Sequence, residues 1–219
     1  MKTIITTLLV TSSIVLVSGV QAASIDDFNG GWQEVEAPGS DTVGYSGAIG
    51  ADRNIDISIT YPNESDAKAR VYDSSFYGSG VYSHSADDAT AATSIITWDD
   101  LEGVDITDQR VYSVFSFEIL SVDGEVDLTF LVEDGQGNSD SQTLSIAKIG
   151  MQAIAFDKFD DIDFTDIDFI SLTIEGGAGA DLALDNLRTV PTPATMILIL
   201  AGLTGFFFTR KQQGSVLTA

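Results

Sequence analysis

The sequence predicts an all-β protein, a jelly-roll-like β-sandwich, from period-two alternation, regularly spaced turn residues and the lack of helical periodicity. Ile55, Ile57, Ile59 and Tyr61 alternate with polar residues, which is typical of a strand with one buried face. The alternation recurs in five later runs: Phe115, Phe117, Ile119; Val126, Leu128, Phe130, Val132; Leu144, Ile146; Ile170, Leu172, Ile174; and Leu182, Leu184. No stretch of the central chain carries a 3.6-residue stripe longer than about two turns. Two packed antiparallel sheets are therefore expected.

Glycine-rich segments separate these runs. Asp123-Gly124 predicts a short hairpin, and the segment 134–138 predicts a longer turn, because both offer residues that tolerate positive φ. The segment 85–93, rich in Ala and Asp, is the only candidate for a short helix or a mobile loop. In a jelly roll the first and last strands lie side by side, which would bring residues 25–28 close to residues 183–186.

The N-terminus has the pattern of a secretory signal peptide over residues 1–22. Lys2 supplies the charged region, an apolar region follows from Ile4 to Val17, and small residues precede a cleavage site between Ala22 and Ala23. The alternative, a retained membrane anchor, is disfavoured because the segment is short and has no positive flank after it. We expect signal peptidase to remove it.

The C-terminus has a second targeting pattern, over residues 190–213, before a short tail at 214–219. It opens with Val190, Pro191, Thr192, Pro193 and Ala194, continues as an apolar run over 195–209, and ends at Arg210 and Lys211. As a helix this run spans roughly 22 Å, a marginal length for a hydrocarbon core of about 30 Å. The basic pair predicts a single transmembrane helix with its end in the cytoplasm and the folded domain outside.

This combination of a proline-containing motif, a short hydrophobic helix and a basic cluster resembles the PEP-CTERM sorting signal of Gram-negative exoproteins. Thr192 stands where that family typically has Glu. The resemblance implies export, transient anchoring in the inner membrane, removal of the tail by an exosortase-type sorting protease, and delivery to the cell surface or an extracellular polysaccharide matrix.

The exported part, residues 23–189, has a length that fits one domain with its own core. It holds all 33 acidic residues and seven of the ten basic ones, a formal charge of −26. This charge repels nucleic acid and anionic membranes. The chain has no cysteine, so disulfides, thiolate zinc sites and thiol nucleophiles are excluded.

Four short motifs resemble the β-sandwich domains of PEP-CTERM exoproteins, and through them jelly rolls of the carbohydrate-binding-module type. They lie at residues 25–28, 49–53, 103–107 and 181–188, and Ala51 replaces a glycine common at its position. The resemblance covers most of the exported domain, although each motif is short.

Acidic residues near both ends of the domain predict a Ca²⁺ site. Asp26 or Asp27, with Asp185 and Asn186, would supply oxygen ligands from adjacent strands, and a hard cation needs six to eight of them. The alternative is ordinary turn chemistry, in which Asp and Asn bond to nearby backbone amides. A second acidic run, 160–168, is interpreted as a solvated loop because it lacks the glycine of an EF-hand.

Two aromatic residues are candidates for an exposed sugar-binding platform. Tyr77 lies in a stretch rich in Gly and Ser, and Trp98 flanks a turn, whereas most rings of a β-sandwich belong to its core. Tyr72 and Tyr82 are expected to be buried on one face. His84, the only histidine, is interpreted as a surface loop residue rather than part of a catalytic triad.

These observations favour an exported, non-enzymatic protein of the cell surface or extracellular matrix. The alternative is a Ca²⁺-stabilised carbohydrate-binding module that acts on exopolysaccharide. An enzyme acting on glycosidic bonds is the weakest hypothesis, because acidic residues are so numerous that no carboxylate pair stands out.

Overall fold

The computed structural model describes residues 23–44, 49, 52–61, 66–74 and 79–191. Thirteen strands lie in this part of the chain, with one 3-10 turn at Phe156–Lys158. In chain order the strands are β1 (Ala23–Asp26), β2 (Gln33–Glu36), β3 (Gly39–Val43), β4 (Asp52–Tyr61), β5 (Ala67–Ser74), β6 (Ser79–Ala86), β7 (Ala91–Asp99), β8 (Val114–Asp123), β9 (Val126–Asp134), β10 (Ser139–Ile146), β11 (Gly150–Ala155), β12 (Ile167–Gly176) and β13 (Asp181–Val190).

The strands form two antiparallel sheets that pack face to face. The seven-stranded sheet has the order β11-β8-β13-β6-β5-β2, and β1 pairs with β13 beside this path; the six-stranded sheet has the order β10-β9-β12-β7-β4-β3. Successive strands often lie in different sheets, as β6 and β7 do, so the chain repeatedly crosses the sandwich. This architecture confirms the predicted all-β sandwich.

The two ends of the domain meet as the sequence predicts. Ala23 lies opposite Thr189, Ser24 opposite Arg188, and Asp26 opposite Leu187. Strand β13 continues to Val190, the first residue of the predicted sorting motif, which lies opposite Val114. The last strand of the sandwich therefore leads directly into the C-terminal segment.

The inner faces of both sheets carry the core. The alternating residues of β9 and β12 are at most 3% exposed: Val126, Leu128, Phe130, Val132, Ile170, Leu172 and Ile174. Five phenylalanines fill one side of the space between the sheets. Phe115 of β8 and Phe130 of β9 are 4.4 Å apart between ring centroids, and Phe156 stacks on Phe164 at 4.0 Å. These contacts place β8 directly across from β9.

Two connections differ from the sequence prediction. Asp123-Gly124 joins β8 to β9, which lie in different sheets, so this turn crosses the sandwich and is not a hairpin. The segment 85–93 contains the end of β6, a turn and the start of β7, with no helix. Alternation shows where strands lie but not which strands pair, and this explains the first error. The turn at 134–138 does form the predicted hairpin, between β9 and β10.

In the described part of the chain, no helix is long and apolar enough to cross a membrane. The predicted signal peptide, including Ala22, and the predicted hydrophobic helix at 195–209 lie outside the described residues, as do Thr192, Pro193, Ala194, Arg210 and Lys211.

His84 is a buried strand residue, so its interpretation as a surface loop residue was wrong. It lies in β6 and is 1% exposed. Its Nδ1 is 2.8 Å from Ser94 Oγ, and the Tyr82 hydroxyl donates to the same Oγ at 2.6 Å. Its ring also packs on Gly176, where a Cβ would come within 2.7 Å of Nε2. Such a histidine has no access to a surface substrate.

Burial lowers the pKa of His84 to about 4, from an ordinary value of 6.5, and this predicts an acid-sensitive stability. The unfolded chain protonates this imidazole below pH 6.5 while the folded chain keeps it neutral down to about pH 4. The contribution of neutral His84 to the free energy of unfolding is therefore fully present above pH 6.5. It is lost as the pH falls towards 4, and the loss amounts to about 3 kcal/mol.

Urea unfolding of the protein and of His84→Leu between pH 4 and pH 7 measures this contribution. We expect the free energy of unfolding of the unmodified protein to fall more steeply over this interval than that of the variant. Parallel pH profiles would contradict the assignment.

Candidate functional site

A fully buried arginine organises the segment between β1 and β2. Arg53 of β4 is 0% exposed, and its Nη1 donates to the Asp26 carboxylate at 2.9 and 3.1 Å. Its Nε donates to Gln33 Oε1 at 2.7 Å. Its Nη2 donates to the carbonyl oxygens of Gly30, at 2.8 Å, and Gly31. One side chain thus binds β1, β2 and the segment that joins them.

The Asp26 carboxylate, which pairs with Arg53, also has several hydrogen-bond donors. Asp26 accepts hydrogen bonds from Trp98 Nε1 at 3.0 Å and from the backbone amide of Phe28 at 2.8 Å, in addition to the bonds from Arg53. The Arg53 guanidinium also lies 5.7 Å from the centroid of the Phe28 ring. A buried ion pair withstands the loss of hydration only when its remaining donors and acceptors are bonded in this way.

This network holds a tryptophan at the surface. Phe28 packs into the core at 1% exposure, whereas Trp32, four residues later, is 67% exposed. Between them, Arg53 fixes the carbonyls of Gly30 and Gly31. The exposed indole of Trp32 therefore belongs to a segment whose backbone is held by hydrogen bonds from the buried Arg53.

Trp32 and Tyr72 line a shallow cleft at the end of β2 and β5. The register pairs Gln33 with Val71, and its continuation places Trp32 opposite Tyr72. The cleft has a volume of about 160 Å³, below the roughly 300–1,000 Å³ of pockets that enclose a whole ligand. The lining residues are Phe28, Asn29, Gly30, Gly31, Trp32, Val71 and Tyr72. This shape suits an exposed ring on which a flat apolar face of a ligand can stack.

Cations near the cleft are already paired with carboxylates. Arg70 Nε lies 3.2 Å from Glu34 Oε2, and Lys68 Nζ lies 2.7 Å from Glu36 Oε1. The hydrogen bond between the last two raises the pKa of Lys68 and lowers the pKa of Glu36. Combined with the strongly negative domain, this pairing leaves the cleft unsuited to a polyanionic ligand.

A larger depression of about 340 Å³ lies on the outer face of the six-stranded sheet. Its walls include Thr60, Thr93, Asp127 and Glu175, and the two threonine hydroxyls bond to each other at 3.0 Å. None of the described residues that line it is aromatic, so these residues offer hydrogen bonds without a stacking surface.

The structure corrects the predicted aromatic platform. Trp98 is 0% exposed and donates to Asp26 from the core, so its prediction as an exposed ring was wrong. Tyr77 lies outside the described residues. Trp32 was not predicted as a site residue, and Tyr72, which was expected to be buried, is only partly buried. The preceding Gly30-Gly31 was a sign of a turn that presents the side chain of Trp32 to solvent.

The four residues of the predicted Ca²⁺ site do not fit a metal centre. Both oxygens of Asp26 accept hydrogen bonds from Arg53, and Asp27 Oδ1 accepts from the Asn29 amide at 3.1 Å. Asp185 accepts from the Asn186 side chain at 2.8 Å. Among the described residues, no group of three or more His, Cys, Asp or Glu is arranged to hold a metal ion. Ca²⁺ binding by the chain stays a prediction.

One aspartate near the second acidic run has a structural role. Asp134 is 1% exposed and accepts bonds from Asn138 Nδ2 at 3.0 Å and from the Asp163 amide at 3.1 Å. These bonds lower its pKa to about 2. The carboxylate therefore ties the β9-β10 turn to the loop before β12.

Comparison with known proteins gives only distant structural similarity. No family model and no curated protein matches the chain. The family 11 carbohydrate-binding module of the cellulosomal cellulase Lic26A-Cel5E of Clostridium thermocellum is similar at 15% identity and a TM-score of 0.44, covering 80% of this chain and 97% of that one. TmCBM61, solved with β-1,4-galactotriose, is similar at 12% identity and a TM-score of 0.40, covering 63% and 88%. Similarity at this level does not support a transfer of function.

Removal of the buried arginine tests its structural role. Arg53→Met leaves Asp26 as an uncompensated buried charge, and we expect a loss of about 3–5 kcal/mol in the free energy of unfolding. Urea denaturation measures it. The double variant Arg53→Met/Asp26→Leu should recover part of the loss, and Lys68→Met, which breaks an exposed pair, should cost far less. A stability of Arg53→Met equal to that of Lys68→Met would contradict this role.

Proposed function

We propose that the chain is an exported, non-enzymatic protein of the cell surface or extracellular matrix, and that it binds neutral glycans through Trp32 and Tyr72. The observation that carries the binding proposal is the 67% exposure of Trp32 above a buried hydrogen-bond network that holds its segment. An exposed indole held beside a cleft offers a flat aromatic face on which a sugar ring can stack.

The chemistry of the cleft favours a neutral sugar. Pyranose rings present C–H groups that stack on an aromatic face, and their hydroxyls bond to polar groups at its rim. Acidic polysaccharides would meet a domain whose formal charge is −26. The shallow cleft fits one or two sugar residues of a longer polymer.

The export proposal rests on the two terminal sequence patterns. In this account signal peptidase removes residues 1–22, the helix at 195–209 anchors the chain transiently in the inner membrane, and an exosortase-type protease removes the tail. Strand β13 ends at Val190, the first residue of the predicted sorting motif, and a motif that follows the folded domain directly supports this proposal.

Loss of the indole should weaken glycan binding. We expect Trp32→Ala to raise the Kd for a neutral polysaccharide at least about fivefold, because the stacking contact and its buried area are lost. Affinity electrophoresis on gels that contain β-glucan, galactan or alginate measures this, with Met151→Ala as the matched exposed apolar control. Equal retardation of both variants, or retardation only by the anionic alginate, would contradict the proposal.

Export and processing have a separate readout. Full-length chain expressed in a Gram-negative host with a sorting protease should reach the outer surface or the medium with Ala23 at its N-terminus and without residues 195–209. Fractionation followed by intact-mass measurement determines both ends. Mature protein in the cytosol, or surface protein that keeps the hydrophobic tail, would refute this part.

A further inference from the structure

Strand β10 is a long, regular edge of the six-stranded sheet. Among the described strands it pairs only with β9, from Ser139 opposite Glu133 to Ile146 opposite Val126, without a register shift. The other edge strands are shorter: β2 has four residues, β3 has five and β11 has six, against eight in β10.

The hydrogen bonds of the β9-β10 turn show which backbone groups face outward. The Asp134 amide donates to the Asn138 carbonyl at 2.9 Å, so these two residues form a hydrogen-bonded pair. In an antiparallel ladder such pairs alternate with non-hydrogen-bonded pairs. The residues of β10 that turn their N–H and C=O groups away from β9 are therefore Ser139, Ser141, Thr143 and Ser145.

The side chains of β10 contain few of the features that block edge pairing. The strand has no Pro, Lys or Arg and no bulge, which are the usual protections. Its one charged residue, Asp140, is bound within its own chain, where it accepts from the Asp160 amide at 2.8 Å and also interacts with the Ser141 amide. The neighbouring Gln142 donates to the Lys158 carbonyl at 2.8 Å.

Two exposed apolar residues lie on the same side of the sandwich. Strand β8 packs across from β9. The edge strand β11, next to β8, therefore lies on the same side of the sandwich as the edge strand β10, next to β9. Ile149, between these two strands, is 65% exposed, and Met151 at the start of β11 is 52% exposed. A partner strand on β10 would approach this side.

We propose that β10 pairs in antiparallel fashion with β10 of a second copy, centred on Gln142. This register places every outward-facing residue opposite another one, Ser139 against Ser145 and Ser141 against Thr143. Asp140 then lies opposite Leu144, so no like charges oppose each other. The two six-stranded sheets become one continuous sheet across the dimer.

A second copy of the chain fits this edge in length and in hydrogen-bond spacing. A strand related by a two-fold axis matches β10 in length and supplies outward groups at the same spacing. The opposing force is the net charge of both domains, which acts over the Debye length and is screened by salt. Association is therefore expected to strengthen as the salt concentration rises.

Single cysteines in the full-length chain, which has none of its own, test the register. Opposite residues of a non-hydrogen-bonded pair lie about 4.5 Å apart between Cα atoms, within the range for a disulfide. Gln142→Cys should thus yield at least about fivefold more disulfide dimer, on a non-reducing gel after mild oxidation, than Ser58→Cys. Ser58 is an exposed residue of the same sheet, on the interior strand β4.

Two variants distinguish edge pairing from random collision. Thr143→Pro removes an outward N–H that β9 does not use, and combined with Gln142→Cys it should reduce the dimer band severalfold. Thr143→Val keeps the N–H and should leave the band unchanged. Equal cross-linking of Gln142→Cys and Ser58→Cys, or cross-linking that falls as salt rises, would overturn the proposal, even if Thr143→Pro fails to fold.

Discussion

The ion pair between Arg53 and Asp26 is the interaction on which the arrangement of the N-terminal part depends. It lies between the two sheets, where an unpaired charge is very costly, and every polar atom of the Arg53 guanidinium has an acceptor. The pair joins β1 and β2 of one sheet to β4 of the other. Because the acceptors include two glycine carbonyls, the same pair also fixes the segment that carries Trp32.

The segment that carries Trp32 connects the buried ion pair to the proposed glycan binding. A stacking platform needs a ring that does not lose conformational freedom on binding, since ordering a side chain or loop costs affinity. The buried network supplies that order before any ligand arrives. The acidic surface disfavours polyanionic ligands, and the proposed dimer at β10 uses a separate surface. A dimer through β10 would leave both clefts open, because β2 and β10 lie at opposite ends of the sheet orders.

The alternation of residues was sufficient to predict the strands and most of the core. It correctly assigned Phe117, Leu128 and Leu172 to the interior, because one face of each strand is consistently apolar. It gave no information on pairing, so the crossing at Asp123-Gly124 was predicted as a hairpin. Alternation was also ambiguous around β7, where Ser94 shares the buried face with Ile96 and Trp98. The burial of Trp98 was missed for this reason.

Most of the candidate site could not be predicted from the sequence. Arg53 is in phase with Ile55 and Ile57, which is the one sign that this cation points inward, yet its acceptors come from residues 26–33 and depend on the tertiary fold. The most direct test of glycan binding at Trp32 is an NMR titration of ¹⁵N-labelled protein with a neutral oligosaccharide. We expect shifts at the Trp32 indole N–H and at the amides of residues 29–32 and 71–72. Shifts confined to the outer face of the six-stranded sheet, or no shifts with any neutral sugar, would contradict it.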